Sequence, residues 1–168
     1  MNIDYREALR YLGIRGVPDN ATQQLLSDCL RIADQAARPR FTVREVPLLH
    51  SEGELRFDCI VTHSAVLARL LSGCDTVLLF AATLGSEIDR LISRYGVTDA
   101  AKSVVLDAVA SAMIESYCDE CQHTLSEEYG KRGWALTPRF SPGYGDLPLA
   151  LQSCFLRALD ASKSIGLT

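Results

Sequence analysis

The sequence predicts an α+β fold, on three observations. Two segments between residues 41 and 60 alternate in the manner of half-buried strands. A continuous apolar run, Thr76 to Ala82, reads as a further strand. Elsewhere the apolar residues recur at helical spacing, and one such pattern runs for about thirty residues. At 168 residues the simplest expectation is one domain, 1–168, long enough to bury a real core.

The elements follow in order. Ile3, Ala8, Leu9 and Leu12 mark a short helix closed by Gly13. Asp19 or Asn20 caps a second, in which Leu26, Cys29, Leu30 and Ala33 share a face; Arg38-Pro39-Arg40 breaks it. Phe41–Val46 and Leu55–Ile60 read as strands joined through a turn at Ser51–Glu54, hence an antiparallel hairpin. In the second strand Leu55, Phe57 and Cys59 alternate with Arg56 and Asp58. Ser64 caps a helix from Ala65 to Leu71. The uninterrupted apolarity of Thr76–Ala82 predicts burial on both faces. Ser86 begins a helix that Gly96 ends. Asp99 opens the long one, dense in small residues (Ala100, Ala101, Ser103, Ala108, Ala110, Ser111, Ala112) and stopped by Gly130–Gly133. A final helix carries Leu149, Leu151, Cys154, Phe155, Leu156 and Leu159.

Composition narrows the function. The formal net charge is −4 and no run of five or more like charges occurs, which argues against a nucleic-acid groove. The longest apolar run, Val77 to Leu84, is too short to span a bilayer, so no membrane partner is expected. The opening residues lack a signal-peptide core. Six cysteines without a secretory signal are expected as free thiols in a reducing compartment, and the protein is placed in the cytoplasm. Cys118 and Cys121 have zinc-ligand spacing but no matching second pair, and they fall inside a helix, so no metal site is expected. There is no Gly-x-Gly-x-x-Gly, no phosphate-binding loop and no His-Glu-x-x-His.

The least generic run is Arg139-Phe140-Ser141-Pro142-Gly143-Tyr144-Gly145-Asp146-Leu147-Pro148. Pro142 followed by Gly143 suits a type II turn, Gly145 permits close approach of another group, and Asp146 is expected to cap a helix opening near Pro148. The loop would then offer backbone N–H groups, an aromatic ring and a fork-shaped cation. Composition alone favours a tight loop-to-helix connection with Arg139 as a surface arginine. Glu115 lies on the long helix with Ala108, Ser111 and Ala112 at i−7, i−4 and i−3; it reads either as a carboxylate facing a ligand or as a solvated helix glutamate. Thr83–Asp89 places a strand end against a helix N-terminus, which suits an anion, or simply packs Gly85 at a corner.

The 139–148 run resembles the Arg-x-x-x-Gly-Tyr signature of the activation domain of cobalamin-dependent methionine synthase. It is closer to the free-standing relatives of that domain, which read Arg-x-Ser-Pro-Gly-Tyr-Gly-Asp-x-Pro-Leu. The likeness extends to Thr83–Asp89 and to Asp107-Ala108-x-Ala110-x-Ala112-x-x-Glu115. It implies a twisted, mainly antiparallel sheet flanked by helices. It further implies an S-adenosylmethionine-binding protein for reductive reactivation of methionine synthase or another corrinoid protein, acting in trans. Arg139, Ser141, Gly143, Tyr144, Gly145 and Glu115 are the ligand-binding residues expected on that basis. The chain has no Asp-x-His-x-x-Gly, so cobalamin would be carried by a partner, with a flavoprotein as electron donor. The full-length synthase has Pro-Ala in place of Phe140-Ser141, and relatives continue beyond the position of Thr168, so the chain is expected to be truncated relative to the family. Two other functions fit the same residues: an S-adenosylmethionine or nucleotide sensor without catalysis, and a structural subunit that kept the fold and lost the ligand.

Overall fold

The computed structural model describes residues 5–51 and 53–167. It is α+β, as expected, with small sheets and one long helix. The elements are α1 (Tyr5–Tyr11), α2 (Asn20–Ala36), β1 (Arg40–Pro47), β2 (Leu49–Ser51), β3 (Glu54–Phe57), β4 (Ile60–Thr62), α3 (Ala65–Leu70), β5 (Thr76–Thr83), α4 (Ser86–Thr98) and α5 (Ala100–Gly130). A 3-10 turn (Leu149–Leu151), α6 (Gln152–Ala158) and α7 (Ala161–Ser164) complete the chain. The residues cluster into two compact units. One combines the chain up to Arg40 with Ala82–Thr124; the other combines Phe41–Ala81 with the chain from Leu125 onward.

The first unit is helical. The Asp19 side chain accepts from the Thr22 N–H at 2.8 Å and starts α2, whose buried face is Leu26, Cys29 and Ala33. These pack with Ala8, Leu84, Ile88, Leu106, Val109 and Met113 in one core. The Cys29 thiol is pushed up to about 11, chiefly by burial. Asp99 caps α5 by accepting from Lys102 N–H at 3.0 Å. Gly96 does not end α4: the helix continues to Thr98, whose hydroxyl donates to the Arg94 carbonyl at 3.1 Å. Ile3, expected in the first helix, lies outside the described residues.

The second unit holds the sheets. The expected hairpin exists, but between β2 and β3, with Ser51 opposite Glu54. β1 pairs with β5 instead. The expected strand Leu55–Ile60 is cut in two. Asp58 has φ 50, and the chain turns at Asp58-Cys59 into β4, which pairs antiparallel with β3. Cys59 is therefore exposed, whereas Leu55, Phe57 and Ile60 are buried. Arg44 holds the turn from outside, donating to Ala158 O at 2.7 Å and pairing with Asp58 at 2.8 Å. β5 is not buried on both faces: only Leu79 is fully buried and its neighbours are half-buried. Continuous apolarity here serves a partly covered two-stranded sheet. The final helix is also interrupted, at Asp160, which adopts φ 47. The core of this unit joins Val46, Phe57, Ile60, Leu67, Leu79, Leu147, Leu159 and Ile165.

Candidate functional site

The run from Trp134 to Pro148 lies in the second unit, and its entry is braced. Arg132 lies over the rings of Tyr129 (4.7 Å) and Trp134 (4.9 Å). Glu45 accepts from the Tyr129 hydroxyl at 3.1 Å and from Arg132 Nη1 at 3.0 Å. Burial first, then the Glu45 carboxylate, raises the Tyr129 phenol above its ordinary value.

Two consecutive turns form the loop. Tyr144 N–H donates to Ser141 O at 3.1 Å across Pro142-Gly143, and Gly143 has φ 94, as a type II turn requires. Leu147 N–H then donates to Tyr144 O at 3.0 Å across Gly145-Asp146, with Gly145 at φ 54. Gly143 N–H donates to Leu147 O at 2.8 Å. Of the loop N–H groups expected to be offered to a ligand, those of Gly143 and Tyr144 are thus engaged inside the loop. The close approach that Gly145 permits is also used internally: a Cβ there would lie 3.3 Å from Phe140 and 3.4 Å from Val66.

Asp146 does not cap the turn that follows Pro148. Its carboxylate reaches back to the N-terminus of α3, where it accepts from the Ser64 hydroxyl, from Ala65 N–H at 2.7 Å and from Val66 N–H at 3.3 Å. Ser64 Oγ in turn accepts from Leu67 N–H at 3.0 Å, so one hydroxyl caps α3 and anchors the loop. The Ser64 hydrogen bond, with the two backbone N–H groups, holds the Asp146 carboxyl below its usual value of 3.8, against the effect of burial. A group lowered in the folded state stabilises above the unfolded value and loses that effect as pH falls through the folded one. The latch should therefore stay intact from neutral pH down to the ordinary carboxylate range and open only below 3.8. Amide chemical shifts of Ala65 and Val66, followed on acidification, check this; a transition near neutrality would contradict it, and Asp146→Asn should abolish the titration. Ser64→Ala removes the cap together with the donor to Asp146, and should cost about 1–2 kcal/mol in a urea unfolding experiment.

With Leu147 buried in the core and Asp146 latched, the loop is held from two sides. What it presents outward is Arg139, Ser141 and the Tyr144 ring, which is 65% exposed. A guanidinium fork binds a carboxylate bidentately, and an exposed phenol ring can stack on a heterocycle. Glu115, also exposed, is on the part of α5 that belongs to the first unit. Of its small neighbours, Ala108 and Ala112 are buried, and Ala112 packs in the first unit's own core. At Thr83–Asp89, Thr83 Oγ1 accepts from Gly85 N–H at 3.0 Å, and a Cβ on Gly85 would lie 3.4 Å from Arg38. Gly85 thus packs closely at that corner. Sequence reasoning missed Val66 and Phe140 as supports of the loop; Ser64 was visible only as a local cap. Among the described residues no three His, Cys, Asp or Glu side chains cluster as metal ligands. Nor is any helix long and apolar enough to cross a membrane.

An α+β chain with a long helix and a clamped Arg-x-x-x-Gly-Tyr loop has an activation-domain-like fold. The structure is similar to a solved MetH reactivation domain bound to AdoHcy, with a TM-score of 0.73 at 18% sequence identity, over 99% of this chain and 68% of that one. No family model matches the sequence, and no curated protein matches it.

Proposed function

We propose that this protein binds S-adenosylmethionine at the 139–148 loop and presents it for the reductive remethylation of cobalamin-dependent methionine synthase, or of another corrinoid protein, in trans. The observation that carries the reading is the loop itself. It is fixed from behind by Asp146 and Leu147, and it displays a guanidinium, a hydroxyl and an aromatic ring together. The fold's likeness to a domain solved with AdoHcy supports the same ligand class. The donor set fits that class. Arg139 would hold the amino-acid carboxylate, Ser141 a polar edge of the ligand, and Tyr144 the adenine face. Gly143 and Gly145 act through the loop's shape, since the Gly143 N–H is engaged.

S-adenosylmethionine, held by Arg139, Ser141 and Tyr144, would supply the methyl group, and cobalamin carried by a partner would be its acceptor, with a flavoprotein as the electron donor. This chain's own contribution is placement. A preformed loop lowers the entropy lost when the ligand is oriented. The cytoplasm, where these partners would be met, is part of the same proposal.

Calorimetric titration of the purified chain with S-adenosylmethionine, compared with S-adenosylhomocysteine, tests the reading. Saturable binding of both is expected. A folded chain that binds neither would overturn it. Binding without methyl transfer to any corrinoid protein would leave the sensor reading in its place.

A further inference from the structure

Two cysteines come together in the second unit. Cys59 sits on the turn between β3 and β4, and Cys154 sits on α6, 95 residues further along the chain. Three contacts dock that turn on that helix. The Phe57 and Phe155 rings meet edge to face, 5.9 Å between centroids. Arg44 pairs with Asp58 and donates to Ala158 O at the end of α6. The Cys59 thiol itself donates to Cys154 O at 3.9 Å. One sulfur thus lies against the residue that carries the other, and contacts of their sequence neighbours hold it there.

The two thiols differ in what surrounds them. Cys59 is exposed, so a dissolved oxidant can reach it, whereas Cys154 is half-buried. Arg157, one helical turn on from Cys154, donates from Nη2 to its sulfur at 3.2 Å. Cys154, first through that hydrogen bond and then by charge, raises the guanidinium above its ordinary value, and the charge of Cys59 adds to the effect. One cation therefore acts on both sulfurs. Thiol–disulfide exchange proceeds through the thiolate, an anion.

We propose that Cys59 and Cys154 are a redox modification site, closing into a reversible disulfide that fastens the β3–β4 turn to α6. The oxidant is a small-molecule disulfide of the oxidised glutathione class. The Cys59 thiolate attacks one of its sulfurs, forming a mixed disulfide and releasing a small thiolate, which takes up the proton that Cys59 lost. The Cys154 thiolate then attacks the Cys59 sulfur. The protein disulfide forms, and the second small thiolate leaves and takes up the proton of Cys154. Two protein thiols are oxidised to one disulfide, and one small disulfide is reduced to two thiols. Closing so long a loop restricts the unfolded chain, so the oxidised form is the more stable one.

The test incubates the full chain with oxidised glutathione and maps its peptides by mass spectrometry without reductant. A Cys59–Cys154 cross-link is expected, with an unfolding midpoint above that of the reduced chain, both reversed by dithiothreitol. Cys154→Ser should stop at glutathione attached to Cys59, with no raised midpoint. Cys59→Ser should form no cross-link, and because Cys59 is exposed this variant should keep the midpoint of the reduced protein. Arg157→Gln should slow closure several-fold and let the mixed disulfide accumulate; closure at an unchanged rate would overturn the part given to Arg157. No reaction at Cys59, a glutathione adduct there that never closes in the unaltered chain, or a cross-link that Cys59→Ser retains would overturn the proposal. None of these outcomes bears on S-adenosylmethionine binding at the loop.

Discussion

Arg139→Ala is expected to weaken S-adenosylmethionine binding by about 1.5–3 kcal/mol, roughly 10- to 150-fold, the range for losing a hydrogen bond to a charged group. The side chain is exposed, and the loop is fixed through Asp146 and Leu147. The variant should therefore keep the wild-type unfolding transition while losing affinity. That separation is the point of the experiment, because a structural role would lower both together. Arg139→Lys should recover only part of the affinity, since an ammonium supplies charge without the planar fork. S-adenosylhomocysteine keeps the carboxylate and lacks the sulfonium charge, so it should lose the same factor. Unchanged affinity in Arg139→Ala would remove this residue from the site.

Gly145→Val should destabilise the protein by about 2–6 kcal/mol, and two separate causes add. The backbone has φ 54, where a β-branched residue is strained, at a cost of about 1–3 kcal/mol. The added side chain also meets Phe140 and Val66, beginning at 3.3 and 3.4 Å, which is overpacking of similar size. Gly145→Ala isolates the first cause with a smaller steric term and should fall near the lower figure. Urea unfolding midpoints check both variants. If valine is tolerated as well as alanine, the close packing of Val66 and Phe140 against this glycine is refuted. Ligand binding should fail in parallel with stability in Gly145→Val, the opposite of the Arg139→Ala pattern.

Much of the fold was legible because its signals are local. Asp19, Ser64 and Asp99 each cap a helix through an N–H three residues on, so residue type and position suffice. The Pro142-Gly143 turn is likewise closed within four residues. Helical periodicity was enough for α2 and for the long α5. Apart from Gly96, which α4 passes through, and the break at Asp160, the expectations that failed concern what meets what. Phe41–Val46 looked like the partner of Leu55–Ile60, yet β1 pairs with β5, and β3 turns back on itself at Asp58. Apolar content in Thr76–Ala82 could not show how much of each face would be covered.

The candidate site divides along the same line. The sequence by itself determined the tight Pro142-Gly143 turn and the residue types the loop carries, because φ preferences and short-range hydrogen bonds act within a few residues. It also marked Arg139 and Tyr144 as the chemically distinctive members. Only the tertiary structure decided what holds the loop. Asp146 could equally have capped the turn after Pro148, but its carboxylate finds Ala65 N–H, 81 residues away, at 2.7 Å. The N-terminus of α3 offers an ionised group a hydroxyl and two N–H donors at once.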